Sequence, residues 1–413
     1  MTQAELATAV NAYVRATTGR AALLSADAIR RYERGIVRWP SEVYRGALRR
    51  VLEADTDDEL GFAPTPRGAS EATSDIEPEH RPAPDDGDGR GMSVVTVPDL
   101  IRQARDLATP ATVTGADLAS LRAQADHLNA WGYAHGGGAL RTTIAAQAAH
   151  AVGLLRTDCP PRLRDDKFAA VGQLGVAAGA LLFDAHRHTL ARRMLDLATN
   201  CAVECDDWHL RAKALSWRAR QAVWVGQAEQ GRTYAELGLV RADRLTATEQ
   251  AMLHTALARA HAAAGDVQAT LRAVGAADEA FSNADPASDP PWMAHYDEAQ
   301  HLGDTGHALF DLAARGDHVA DATRRLAQAV AEHTDQYVRS RAFSGYKLAT
   351  LTLTAGDVDH ATKIAQQAVV DATEVASLRL RRTAAELITA AREHPGNGTD
   401  VLLEMLTKDG TPG

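Results

Sequence analysis

The chain has 413 residues, with 44 Lys and Arg against 54 Asp and Glu, for a net charge of −10. That length supports two or three domains and a sizeable core. The acidic balance excludes a protein whose whole surface coats nucleic acid, and three cysteines (Cys159, Cys201, Cys205) exclude a disulfide framework and fit a reducing compartment.

The N-terminus is polar and has no signal-peptide pattern. The longest apolar run, residues 176–183, falls short of the ~20 residues a spanning helix needs. These features predict a cytoplasmic protein with no membrane partner. A composition rich in Ala and Arg with 5% aromatic residues favours helices over sheets, so the expected fold class is all-α.

In chain order, Thr2 followed by Glu5 is a capping box that opens a first helix. Ser25 is an N-cap for a second, short helix, and Gly35 suits its C-terminal cap. Ile29 and Tyr32 lie three apart and face inward together. Ala26, Asp27, Arg30, Arg31 and Arg34 then point outward, and Trp39-Pro40 stops the helix. Ser41 opens a third helix, over 41–52, with Val43, Ala47, Leu48, Val51 and Leu52 at helical spacing. A last turn at 56–60 leads to Phe62, which packs back on the helices. Residues 1–52 carry nine Arg against four acids, a local excess of +5 that suits contact with phosphates.

Two short helices, the second basic and exposed, make a helix-turn-helix candidate. The segments "TQAELA" and "LSADAIRRYERG" resemble the phage-repressor (xenobiotic-response, or Cro-like) helix-turn-helix family. The resemblance implies DNA binding over domain 1–62. Gln3 becomes a backbone-positioning contact, and Ser25, Ala26, Asp27, Arg30 and Arg31 the groove-facing set, with Arg34 and Arg38 beside them. Glu33 and Gly35 match the family's structural Glu and turn Gly. Two departures accompany the match. The segment from about Asn11 to Leu24 is longer than the usual turn. The family's first helix has no counterpart ahead of Thr2, which leaves Leu6 and Val10 short of a packing partner.

Residues 63–97 are dominated by Pro, Gly, Asp, Glu and Ser and include seven acids. Such a composition cannot bury enough apolar surface to offset its ordering entropy, and predicts a flexible acidic linker. Beyond it the pattern is helical: 98–161 as the first helices of an array, 162–408 as repeats. The helices expected first are 99–108, 115–132 and 139–155. Later turns fall at 184–186, 226–227, 265–266, 316–317 and 356–357. "LARAHAAAGDVQATLRAV" (257–274) and "LATLTLTAGDVDHATKIAQQAV" (348–369) share one design of helix, Gly-Asp-Val turn and helix. This resembles the tetratricopeptide repeat, in a longer and degenerate form. Each such pair cannot bury its face alone, so the array is expected to stack into an α-solenoid with a concave groove. "AHGGGALR" (134–141), "DPPWMAHYDEAQHLGDTGHALFDLA" (289–313) and "SLRLRRTAAEL" (377–387) resemble segments of actinobacterial regulators that join this head to such repeats. In those proteins the repeats are thought to sense a ligand and to mediate dimerisation.

The candidate ligand or partner residues are Arg211, Trp217, Arg218, Gln221 and Trp224, with Arg339 and Arg341 as further anchors for a carboxylate. His135-Gly136-Gly137-Gly138 mimics an oxyanion motif, but no G-x-S-x-G elbow accompanies it, and a helix-to-helix loop fits better. No HExxH, Walker loop or G-x-G-x-x-G is present, so neither metal nor cofactor is expected, and no enzyme. The resulting expectation is a homodimeric regulator whose head binds an operator in duplex DNA, controlled by a small molecule, peptide or protein in the groove. The competing reading is an interaction or sensor protein with a degenerate head that no longer binds DNA.

Overall fold

The computed structural model describes residues 2–18, 24–33, 40–52, 54, 57–60, 62, 110–394 and 398–408. Among these the fold is all-α, with no strand and one isolated bridge between Thr112 and Asp158. The chain divides into two compact units, 1–91 and 92–413. The expected linker 63–97 and the helix expected at 99–108 lie outside the described residues.

The first unit holds α1 (Gln3–Thr18), α2 (Ala26–Glu33) and α3 (Glu42–Leu52). Thr2 Oγ1 accepts from the Glu5 N–H at 3.2 Å and Glu5 Oε2 accepts from the Thr2 N–H at 2.7 Å, which is the expected capping box. Ser25 Oγ accepts from the Ala28 N–H at 3.2 Å and so caps α2. Where a long turn was expected from Asn11, α1 instead continues to Thr18. Asn11 then grips the following loop by a pair of 2.8 Å bonds with the Leu24 backbone.

Leu6 and Val10 do not lack partners. They are 9% and 0% exposed, in a core with Val14, Ile29, Ala47, Leu48 and Phe62. Helix α3 and Phe62 supply their cover. Phe62 also meets Tyr32 edge-on at 5.9 Å. Gly35 and Trp39 lie outside the described residues.

The second unit is a helical-repeat-like array of antiparallel hairpins. Its helices are α4 (Gly115–His135), α5 (Arg141–Leu155), α6 (Arg164–Asp184), α7 (His188–Glu204), α8 (Trp208–Trp224), α9 (Ala228–Leu239), α10 (Ala247–Ala264), α11 (Val267–Ser282), α12 (Glu298–Ala313), α13 (Val319–Glu332), α14 (Val338–Thr354), α15 (Val358–Ala372), α16 (Leu378–Glu393) and α17 (Thr399–Lys408). The Gly-Asp turns work in two steps. Gly265 and Gly356 take φ of 81° and 92°, where a side chain is strained. The next residue, Asp266 or Asp357, then caps the following helix by accepting from the N–H three residues on. A further turn, with Asp206 at φ 50°, joins α7 to α8 and was not expected.

Helices α4, α6, α8, α10, α12 and α14 form an inner row in which each touches the next, and α14 returns to touch α4. The row is therefore closed. The closure has its own chemistry. The Ala376 N–H donates to His135 O, and the Gly138 N–H donates to Ala376 O, both at 2.8 Å. Asp184, at the end of α6, is fully buried. It accepts from the Gly137 N–H at 2.9 Å and from Ser377 Oγ at 2.8 Å, and pairs with Arg339 at 3.4 Å. A Cβ on Gly137 would lie 2.0 Å from Leu181 O, so only glycine permits this approach. The stretch Pro161–Asp184, which ends in α6, is long and apolar enough by composition to cross a membrane, yet 72% of its apolar window is buried as the core helix of this row.

Candidate functional site

On the first unit, α2 lies across a core-facing Ile29 and leaves Ser25 and Arg30 exposed, with Ala26 half-buried. The Asp27 and Arg31 positions are on α2, while Arg34 and Arg38 lie outside the described residues. Gln3 Nε2 donates to Glu33 Oε2 at 2.6 Å, which ties the start of α1 to the end of α2. Not every arginine of this unit is available to a partner. Arg45 and Arg49 converge on the Asp57 carboxylate, the first at 3.0 Å.

The second unit holds a partly open cavity of about 60 Å³ inside the closed row of helices. Its wall is cationic. Lys213 and Arg220 reach it from α8, Arg259 from α10, Arg339 from α14 and Arg379 from α16. Arg220 forks onto Asp304, with one arm at 3.1 Å, and Arg259 stands 3.8 Å from the same carboxylate. Lys213 has no acid within ion-pair distance, although Glu249 and Asp304 act on it from further off. Its Nζ lies 3.1 Å from His295 Nε2 and close to the sulfurs of Met252 and Met293.

Burial, reinforced by the Arg220 charge, pushes Lys213 down to about 7. Burial also pushes Arg379 down to about 9, so it stays charged at neutral pH. It alone would raise Asp304, but the Arg220 charge and hydrogen bond outweigh it and hold the carboxyl well below its usual range. Burial and the neighbouring cations keep His295 and His307 neutral. His333 is 5% exposed, lines the cavity, and has no hydrogen-bond partner on either ring nitrogen. Arg379 sits among three rings, 4.2 Å from Phe183, 4.9 Å from Trp224 and 5.2 Å from Phe343.

The α8 residues expected to bind a ligand part company here. Trp217 is in the cavity wall. Trp224 packs edge-on to Phe183 and under Arg379 and Arg382. Arg218 and Gln221 are not in the wall and tie α8 to its neighbours. Arg218 bonds Asp196, Gln221 and Tyr234, and Gln221 donates to His188 O. Arg211 donates to Leu237 O at 2.8 Å and lies over Trp208. Of the further anchors, Arg339 lines the cavity, whereas Arg341 is held by Asp371 and Asp335.

Sequence reasoning passed over Lys213 and Arg220, although 213, 216, 217 and 220 have the spacing of one helix face. The three glycines after His135 belong to the closure. Burial raises the Cys201 thiol to about 12, which makes it a poor ligand and nucleophile at neutral pH. Among the described residues no three His, Cys, Asp or Glu side chains gather as a metal site. Comparison of the chain with protein-family models, with curated proteins and with solved structures returned no match.

Proposed function

We propose that the protein is a sequence-specific DNA-binding regulator of the Cro-like helix-turn-helix kind, acting in the cytoplasm as a homodimer. The first unit reads the operator through α2. The second, a degenerate tetratricopeptide-type array, senses a ligand and sets how the heads meet DNA. The observation that carries this reading is α2 itself. It is an N-capped helix anchored by Ile29, with Arg30 on its exposed side, in a segment of net +5. A short basic helix presented this way suits a major groove. The Gln3–Glu33 bond supports the positioning role given to Gln3, because it fixes the end of α1 that would face a phosphate.

Control by a ligand requires that the ligand bind two arrangements of the second unit unequally. The test is selection of bound sequences from random duplex DNA by the full chain, followed by gel shifts at two salt concentrations. Enrichment of a palindromic site, with affinity that falls as salt rises, supports the reading. No salt-dependent binding by the wild-type chain overturns it and leaves an interaction or sensor protein.

A further inference from the structure

The cavity has more positive than negative charge. Its wall carries five basic side chains, Lys213, Arg220, Arg259, Arg339 and Arg379, against one carboxylate, Asp304, while Asp184 lies behind Arg339 and Glu249 and Asp311 act on Lys213 and Arg259 from further off. Asp304 is shared by Arg220 and Arg259, and Asp184 also takes the Gly137 N–H and the Ser377 hydroxyl. Arg379 has rings around it, and its Nε donates to nothing. His333 adds two unused ring nitrogens to the same wall.

A buried excess of positive charge is costly unless an anion completes it. An alkyl or aromatic ligand would leave the Arg379 Nε–H and the His333 ring nitrogens unsatisfied. The space suits a small group, since 60 Å³ holds roughly four to six water-sized spheres of 10–15 Å³ each. The guanidinium groups arrive from four different helices, so they match oxygens that point in several directions rather than one flat carboxylate.

We propose that this cavity binds a phosphate-sized oxyanion, as free phosphate or as the phosphoryl end of a small metabolite, held by Arg259, Arg339 and Arg379 with His333. Such a ligand deepens the sensor reading and depends on it only for the effect on DNA. It would join α10, α14 and α16 at one point, so binding would favour the closed row over any opened form.

The test is thermal unfolding and calorimetric titration of the full chain, without DNA, at constant ionic strength. Sodium phosphate is compared with sodium chloride, and glycerol 3-phosphate forms a separate arm. Phosphate at one hundred times its Kd should raise the Tm by about 3–5 °C, with one site per chain, while chloride does not. Glycerol 3-phosphate binding as tightly as phosphate assigns the phosphoryl end of a metabolite. Binding of phosphate alone assigns the free ion, and both support the class.

Arg259→Met should weaken binding at least tenfold. Asp304→Asn frees Arg220 from its partner and should tighten binding about fivefold, a gain that misfolding would not give. Phosphate acting no differently from chloride overturns the proposal. So does an Asp304→Asn protein that folds, as judged by circular dichroism, and binds phosphate more weakly. None of these outcomes involves DNA, so this idea and the DNA-binding reading can fail separately.

Discussion

Asp184→Ala is the most informative single change in the second unit. Asp184 is fully buried and serves three partners at once: the Gly137 N–H at 2.9 Å, Ser377 Oγ at 2.8 Å and Arg339 at 3.4 Å. Removing the carboxylate leaves two buried donors unsatisfied, at ~1–3 kcal/mol each. It also leaves a buried guanidinium without its partner, at ~3–5 kcal/mol. The three losses share one site and do not add fully, so the expected total is about 4–6 kcal/mol. Five of the six tryptophans lie in this unit, so their fluorescence reports its unfolding in urea. With an m-value of about 3 kcal/mol/M, the midpoint should fall by about 1.3–2 M. Hydrogen exchange at Gly137 and Gly138 should accelerate by a similar free energy. Asp184→Asn, which keeps an acceptor but loses the charge, should fall between. A midpoint for Asp184→Ala within about 0.2 M of wild type would refute the claim that this carboxylate closes the row.

Arg30→Ala should weaken specific DNA binding by ~1–3 kcal/mol if Arg30 reads a base, and a gel shift identical to wild type would remove it from the interface. Lys213→Met should stabilise the fold by about 1–4 kcal/mol at pH 6–7, because it replaces a buried cation with no acid beside it. The folded lysine titrates near 7 and the unfolded one near its ordinary, higher value, so wild type gains stability as pH rises between the two. The advantage in Tm of Lys213→Met should therefore shrink towards pH 9–10. Gly137→Ala should cost about 3 kcal/mol or more, since its Cβ meets the Leu181 carbonyl, and should lower the urea midpoint. Burial depresses His186 to about 4 and also lowers His254, His295, His307 and His333, whereas Glu249 raises His209. The unfolded chain takes up more protons at the five depressed sites, so the Tm should drop as pH falls from about 6.5 to 4. A flat profile there would exclude neutral buried imidazoles.

The helical class and most turns were legible because they depend on local chemistry. Thr2-x-x-Glu5, Ser25 and the Gly-Asp pairs act through bonds three or four residues long, and those bonds are present. The capping of α4 by Thr114 and Asp117 is of the same kind. The closure was not legible. Ser377 and Asp184 are 193 residues apart, and no periodicity in either segment announces the other. The same distance explains the cavity. Nothing local to Lys213 and Arg220 marks them as cavity residues, and only the return of α14 and α16 brings the rest of the wall to them. Arg218 and Gln221 stand one and four residues after Trp217, and sequence reasoning groups them with its ring and that of Trp224. Gln221 shares their face but is taken up by Arg218 and by His188 O, and Arg218, about 100° round the helix from Trp217, turns to Asp196 and Tyr234. The extent of α1 was not legible because Thr and Ala beyond Val10 lack a strong apolar stripe, and only Val14, with the half-buried Tyr13 beside it, carries that turn into the core.

Open arrays of helical hairpins can grow or shrink by whole units, because each unit needs only its neighbours. A closed row of six inner helices has no such latitude. Inserting or deleting one hairpin would carry Ser377 and Ala376 away from Asp184 and the three glycines, so the number of units is fixed by geometry. Lineages of this chain should therefore vary in their surface loops, such as 283–291, and keep the hairpin count constant.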